Sequence, residues 1–259
     1  MAEIATQTLS FLDAAIACFK QIQIARSFPE DFDHHQIKLD ILQLRLSRWG
    51  EAAGIYSGGE GAPLAIRDHD QANSLLCSIE LLFKQAQKKA AALKPPEEPT
   101  TPTLNPDSDM SSGMRMLRTK LRASLSRRCT QLANAKHSIQ WAFYKKQQFE
   151  EFVAAMNGTI DQLEKLFPEE EATPTRLQEL SKEECKGISE TYLKELKEIV
   201  QDTDPWLDGA VDASLREQAP TGGVSFSNRD NYGLQQGYNY GNQKGFKFAG
   251  TMNNNTYRK

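Results

Sequence analysis

Apolar residues return every three or four positions from Ile4 to Leu215, and nowhere before residue 219 do they alternate with a period of two. A chain patterned in this way can bury its apolar surface only by packing helical stripes against one another. The expected fold class is therefore all-α, a bundle of about six to eight helices over residues 1–219. The first stripe, Leu9, Leu12, Ile16, Phe19 and Ile22, reads as one helix from Ile4 to Ile24. A second begins near Pro29 and carries Leu39, Leu42, Leu46, Trp49 and Ala53 to the glycine-rich stretch at 57–63. The third, opening at Asp68 or Asp70, carries Leu75, Ile79, Leu82 and Ala86 and stops before Pro95.

Residues 94–112 hold 5 of the 11 prolines, which marks them as a flexible connection. A fourth helix runs through Leu117, Leu121, Leu125, Leu132 and Ile139, and the pattern resumes from Phe149 to Phe167, with Pro168 as its stop. Thr173-Pro174 opens a single helix carrying Leu177, Leu180, Ile188, Tyr192, Leu196 and Ile199. Asp204-Pro205 opens a last, short one with Trp206, Leu207, Ala210, Val211 and Leu215.

The mean hydropathy of −0.58 is too polar for a chain that crosses a membrane many times, yet 39% hydrophobic residues over 259 positions suffice for a sizeable core. The net charge of −3 conceals a division: residues 114–149 carry 9 basic groups and no acid, whereas residues 150–219 carry 7 basic groups against 18 acids. A basic run of this kind can track phosphates of nucleic acid or lipid, but the acidic excess that follows it can neutralise it within one bundle. Nucleic acid is accordingly not the expected partner.

Catalytic and metal chemistry find little support. His34 and His35 are adjacent and point about 100° apart on a helix, so they cannot grip one ion. Asp31 and His35, four apart, read as a surface pair. His69 and His137 have no nucleophile or carboxylate near them, and the sequence has no GxSxG, GxxxxGK[ST] or HExxH. No enzyme activity, cofactor or metal is expected. Cys18, Cys77, Cys129 and Cys185 lie too far apart for a zinc or redox motif and read as small apolar residues of a reducing compartment. With no secretory signal pattern at Met1, the expected location is the cytoplasm.

The first apolar stretch has a further reading. Twenty-one residues, Ile4 to Ile24, approach the length a bilayer core requires. Asp13, Lys20 and the glutamines oppose permanent insertion, since a central acid costs about 3 kcal/mol. What remains is a bundle helix that enters a membrane only once released.

The tail, 220–259, is of another kind and holds 7 of the 16 glycines. In Gly233-Leu-Gln-Gln-Gly237-Tyr-Asn-Tyr-Gly241-Asn-Gln-Lys-Gly245-Phe-Lys-Phe248 glycine recurs every fourth residue. Drawn extended, Leu234, Tyr238, Tyr240, Phe246 and Phe248 fall on one face and the four glycines on the other, a pattern suited to stacked strands. One acid and no proline after Pro220 remove two usual barriers to such stacking. A lone copy lacks the apolar surface to fold, so disorder is the resting expectation.

The run Gln36-Ile-Lys-Leu-Asp40-Ile-Leu-Gln-Leu-Arg45-Leu-Ser-Arg-Trp-Gly50-Glu-Ala52, with Trp141-Ala-Phe-Tyr144 and Leu163-Glu-Lys-Leu-Phe-Pro168, resembles the fungal HeLo domain, the HET-S/LopB prion-inhibition and propagation family. Leu39, Leu42, Leu46, Trp49 and Trp141 are the core of that likeness. The resemblance implies a dimer-prone helical domain ahead of an amyloid-forming segment. In that family, uptake of an amyloid template is thought to release the N-terminal helix and permeabilise membranes, as in heterokaryon incompatibility and programmed cell death. Carried over, Glu3, Leu9, Phe11, Leu12, Ile16 and Phe19 become the membrane-insertion candidates. Gly233, Gly237, Tyr238, Tyr240, Gly241, Gly245, Phe246 and Phe248 become the amyloid candidates. The expected partners are a second copy of the chain, an amyloid-templating protein and, conditionally, membrane lipid. The rival readings are a constitutively folded helical adaptor and a binder of single-stranded RNA.

Overall fold

The computed structural model describes residues 2–29, 31–56, 65–94, 103–129, 140–168 and 173–218, with backbone alone at 2–5 and 173–174. These belong to one compact unit, Met1–Gln218; a second unit, Ala219–Lys259, lies outside the described residues.

At the centre stands α2, Phe32–Ala52, with 17 of its 21 residues buried. A helix covered on every side has no solvent face to hold its polar residues, so Asp40, Gln43, Arg45 and Arg48 must all find partners inside. Around it pack α1 (Ala2–Cys18), α5 (Ser112–Arg128), α6 (Lys146–Glu164), α7 (Thr173–Cys185) and α8 (Glu190–Val200). The long α3, His69–Leu93, lies against α1 and α6; α9, Pro205–Gln218, lies against α7 and α8. Trp49 anchors the middle of the core, fully buried, with its indole N–H donating to the Leu163 carbonyl at 3.0 Å. Leu39, Leu42 and Leu46 are buried on the same helix.

The all-helical expectation holds for the layers and fails at one place. Ile22–Ala25 (β1), Thr103–Leu104 (β2) and Trp141–Phe143 (β3) form a small sheet in the order β2-β1-β3. β1 pairs antiparallel with β2, Ile24 opposite Leu104, and parallel with β3, Ile22 opposite Trp141 and Ile24 opposite Phe143. The first helix consequently ends at Cys18, followed by a tight 3-10 turn at Phe19–Gln21, rather than running to Ile24. Phe19 and Ile22 are three apart, a spacing that serves either continuation. Hydrogen bonds from two distant strands decide it.

Four other boundaries differ from those expected. α2 starts at Phe32 rather than near Pro29. Residues 103–112 are regular structure rather than loop: β2, a single turn α4 (Pro106–Asp109) capped by Asn105, and the Ser111 cap of α5. α5 stops at Arg128, short of Ile139; Leu132 and Ile139 lie outside the described residues. The helix expected from Thr173 to Ile199 is two, because Gly187 takes a left-handed φ of 74° between α7 and α8. The caps at Asp68 and Asp204 stand where expected, accepting from Gln71 N at 2.8 Å and Leu207 N at 3.1 Å.

Candidate functional site

The insertion candidates of α1 face inward. Leu12, Ile16 and Phe19 are buried, and Leu9 and Phe11 pack half-buried on the same core; the Glu3 side chain lies outside the described residues. Three contacts hold this face on the bundle. Gly50 of α2 lets Leu12 approach so closely that a Cβ there would stand 2.3 Å from Leu12 Cδ2 and 3.0 Å from Tyr56. Gln43 of α2 donates its amide to the Ile16 carbonyl at 2.9 Å, within the core. Phe19 meets Phe83 of α3 edge to face at 4.9 Å, and Phe83 in turn packs on Phe152 of α6 at 5.3 Å.

The same central helix carries a second constellation. Arg48 places both terminal nitrogens on the two carboxylate oxygens of Asp204, each at 2.9 Å, and its Nε 3.2 Å from Glu184. All three side chains are wholly buried. Arg128 closes the set from α5 by a further bond to Glu184. Burial opposes the charge on Arg48, but the carboxylates of Asp204 and Glu184 outweigh it and hold its pKa above the usual arginine value. One turn earlier Arg45 reaches Asp161 at 2.6 Å, Glu164 at 2.7 Å and the Thr203 carbonyl at 3.0 Å, with Trp206 Nε1 donating to the same Glu164. The two arginines thereby tie α2 to α6, α7 and the start of α9.

These pairs amend the expected charge balance. Of the acids of 150–219, Asp161, Glu164, Glu184 and Asp204 answer Arg45 and Arg48 of α2 and others pair within their own segment, as Asp208 and Asp212 do with Lys197, whereas the basic segment finds most of its acids elsewhere. Arg118 and Arg122 pair with Asp40, and Lys146 with Asp31. Only Arg128 with Glu184, and Lys146 with Glu150 at 4.0 Å, follow the expected division among the described residues.

The Asp31–His35 surface pair is not formed. The Asp31 carboxylate turns to Lys146 at 3.1 Å. His35 is buried, its Nδ1 2.9 Å from the Asp31 carbonyl and its ring stacked on Phe149 at 4.4 Å with the edge of Phe28 at 4.9 Å. Burial first, then the charges of Lys38 and Lys146, push its pKa below the ordinary 6.5. Among the described residues no cluster of three or more His, Cys, Asp or Glu could hold a metal ion. Cys129 and Cys185 are buried as expected, whereas Cys77 is exposed on α3 and Cys18 half-buried; all four are free thiols.

Sequence reasoning missed Gln43, Gly50, Arg45, Arg48, Glu184 and Asp204 as parts of this arrangement. A partial signal existed for the first four, since Gln43, Arg45 and Arg48 stand between Ile41, Leu42, Leu44, Leu46 and Trp49, with a glycine directly after. The tail candidates, Gly233 through Phe248, lie outside the described residues.

Comparison with known families bears directly on this arrangement. A family model described as prion-inhibition and propagation, HeLo, matches residues 4–199. The chain belongs to the HeLo family. A second model, the SesB domain on fungal death-pathway protein, matches residues 219–245 of this HeLo chain. Heterokaryon incompatibility protein S of Podospora anserina (strain S) is 33% identical over 212 residues, covering 79% of this chain and 67% of the relative. Heterokaryon incompatibility protein s of Podospora anserina is 32% identical over 206 residues, with the same coverage. The solved HET-s N-terminal domain superposes with a TM-score of 0.71 at 27% identity, over 81% of this chain and 97% of that one. A mutant form of that domain matches equally well, with 98% of it covered. Among the described residues of this HeLo chain no helix is long and apolar enough to cross a membrane.

Proposed function

We propose that this HeLo chain is a membrane-permeabilising cell-death effector of the heterokaryon-incompatibility kind, resting in the cytoplasm and triggered by amyloid ordering of its tail. Residues 1–219 are the effector domain and 220–259 the trigger, with a second copy of the chain or a templating protein as the partner of each. The observation that carries this reading is the burial of Leu12 and Ile16 on α1, sealed by Gly50 and Gln43, and of Phe19 in the turn that follows it. An apolar helix face of membrane character is stored in the core and would be displayed only on release. Cross-β stacking satisfies every backbone group of the tail and can offset the modest net stability of a bundle.

Dye leakage from liposomes tests it, measured on the full chain with and without preformed fibres of peptide 228–259. Leakage that requires the fibres, with a 4.7–4.8 Å repeat in the fibres themselves, is the expected result. Absence of leakage in both conditions leaves a constitutively folded adaptor.

A further inference from the structure

The turn after α1, β1, the first half of α2, β2 and the middle of α5 surround a cavity of about 540 Å3, within the roughly 300–1,000 Å3 of small-molecule sites. Its charges are already matched. Asp40, 5% exposed, accepts from Arg118 Nε at 2.8 Å and from Arg122 Nη1 at 3.3 Å, and Arg118 Nη1 lies 3.4 Å from the Asp107 carboxylate. Two guanidinium groups thus meet two carboxylates. Lys20, the other cation of the wall, is engaged in an interaction of its own. An ionic ligand would give up its hydration here without finding a free counter-charge, whereas a neutral one carries no such cost.

What the wall leaves unmet is amide and hydroxyl. Gln43, 2% exposed, spends its Nε2 on the Ile16 carbonyl, and its Oε1 makes no hydrogen bond among the described residues. Gln23 donates Nε2 to Gln140 Oε1 at 2.9 Å, which leaves the Gln23 acceptor and the Gln140 amide donors unused. The Thr103 hydroxyl, able to give and to take, likewise makes no hydrogen bond among the described residues. Acceptors and donors therefore share one cavity, which is what a hydroxyl group requires, since it donates one hydrogen bond and accepts others. Ile22, Leu39 and Leu104 add apolar surface to the same wall.

The geometry points to a binding site for a neutral, hydroxyl-rich small molecule of the size of a mono- or disaccharide, its hydroxyls on Gln43, Gln23, Gln140 and Thr103 and its C–H faces on the apolar wall. Such a ligand bridges β1 to α2 and β2. Because that juxtaposition exists only in the folded chain, occupancy raises its stability by mass action. The site stands whether or not α1 ever enters a membrane.

The test uses the full chain, with titration calorimetry against glucose, trehalose and myo-inositol at low and at high salt. Saturable binding of at least one of the three, unchanged by salt, is expected, and glucose phosphate should bind no better than glucose. Saturation separates a site from the general stabilisation by excluded polyols, which needs no bound molecule. Thr103→Val removes one hydroxyl at nearly constant volume and should weaken binding by about fivefold, as should Gln140→Leu. Gln201→Leu, at an exposed position after α8, should change it by less than about twofold. If Gln140→Leu loosens the sheet, the Thr103 and Gln201 pair decides. Absence of saturation with all three neutral probes, equal effects in that pair, or tighter and salt-sensitive binding of glucose phosphate overturns the site.

Discussion

Arg48 and Asp204 face each other as two parallel hydrogen bonds of 2.9 Å, both side chains withdrawn from water and 156 residues apart in the chain. Asp204 also caps α9 through the Leu207 N–H. The pair therefore fixes where the last helix begins relative to the central one, and removing either partner strands a charge in the core. Asp204→Ala is expected to cost about 3–5 kcal/mol, and Asp204→Asn, which keeps the cap and one acceptor, distinctly less. Urea unfolding followed by far-ultraviolet circular dichroism measures both; equal costs would show that the cap contributes nothing beyond the charge pairing.

Gly50→Ala tests the seat of α1. A methyl group there meets Leu12 Cδ2 at 2.3 Å, and Leu12, fully buried, has little room to turn away. Overpacking of this kind costs about 1–3 kcal/mol. Faster amide exchange concentrated in residues 6–18 is the expected signature, whereas a uniform rise across all helices would place the strain elsewhere.

His35 gives the fold an acid-side limit. A histidine held below its ordinary 6.5 takes up fewer protons folded than unfolded, so its neutral form supports the fold above 6.5. Stability falls as pH drops through 6.5 towards the depressed folded value, and the loss stops below that. One such group contributes a slope of at most about 1.4 kcal/mol per pH unit. His35→Phe keeps the ring against Phe28 and Phe149, and the Asp31 carbonyl retains the His35 backbone N–H at 2.9 Å. Melting temperatures of this variant should lose part of their acid slope; an unchanged slope would assign the effect to other groups.

Thiol labelling separates the four cysteines. Cys77 is exposed, whereas burial raises the Cys129 thiol and pushes Cys185 up to about 12. One fast equivalent with a disulfide reagent, assigned to Cys77 by peptide mapping, is expected in the native protein. Rapid labelling of Cys185 would contradict the packing of α7.

The layers of this fold were legible because the apolar stripes are long: Leu39, Leu42, Leu46 and Trp49 define the central helix without help from anything distant. The sheet was not, since Ile22–Ala25 carries three apolar residues at spacings that continue the stripe of α1, and its partners lie at 103–104 and 141–143. The helix break at Gly187 had a local cue in the glycine itself. The arginines were legible as anomalies but not as a network, because Glu184 and Asp204 are 136 and 156 residues away from Arg48. The insertion candidates Leu12 and Ile16 followed from the length of an apolar stretch and from the family resemblance, and only packing places them against Gly50 and Gln43.

The middle position of β1 fixes a geometric alternative. As folded, α1 has 17 residues and spans about 26 Å, short of the roughly 30 Å of a bilayer interior. Residues 4–24 as one continuous helix would reach, but Ile22, Gln23 and Ile24 would then leave the sheet. β2 and β3, which among the described residues pair with no strand except β1, would lose that pairing together. A full-length span and the sheet are mutually exclusive states of the same three residues, so the length of one element is rationed by the hydrogen bonds of another.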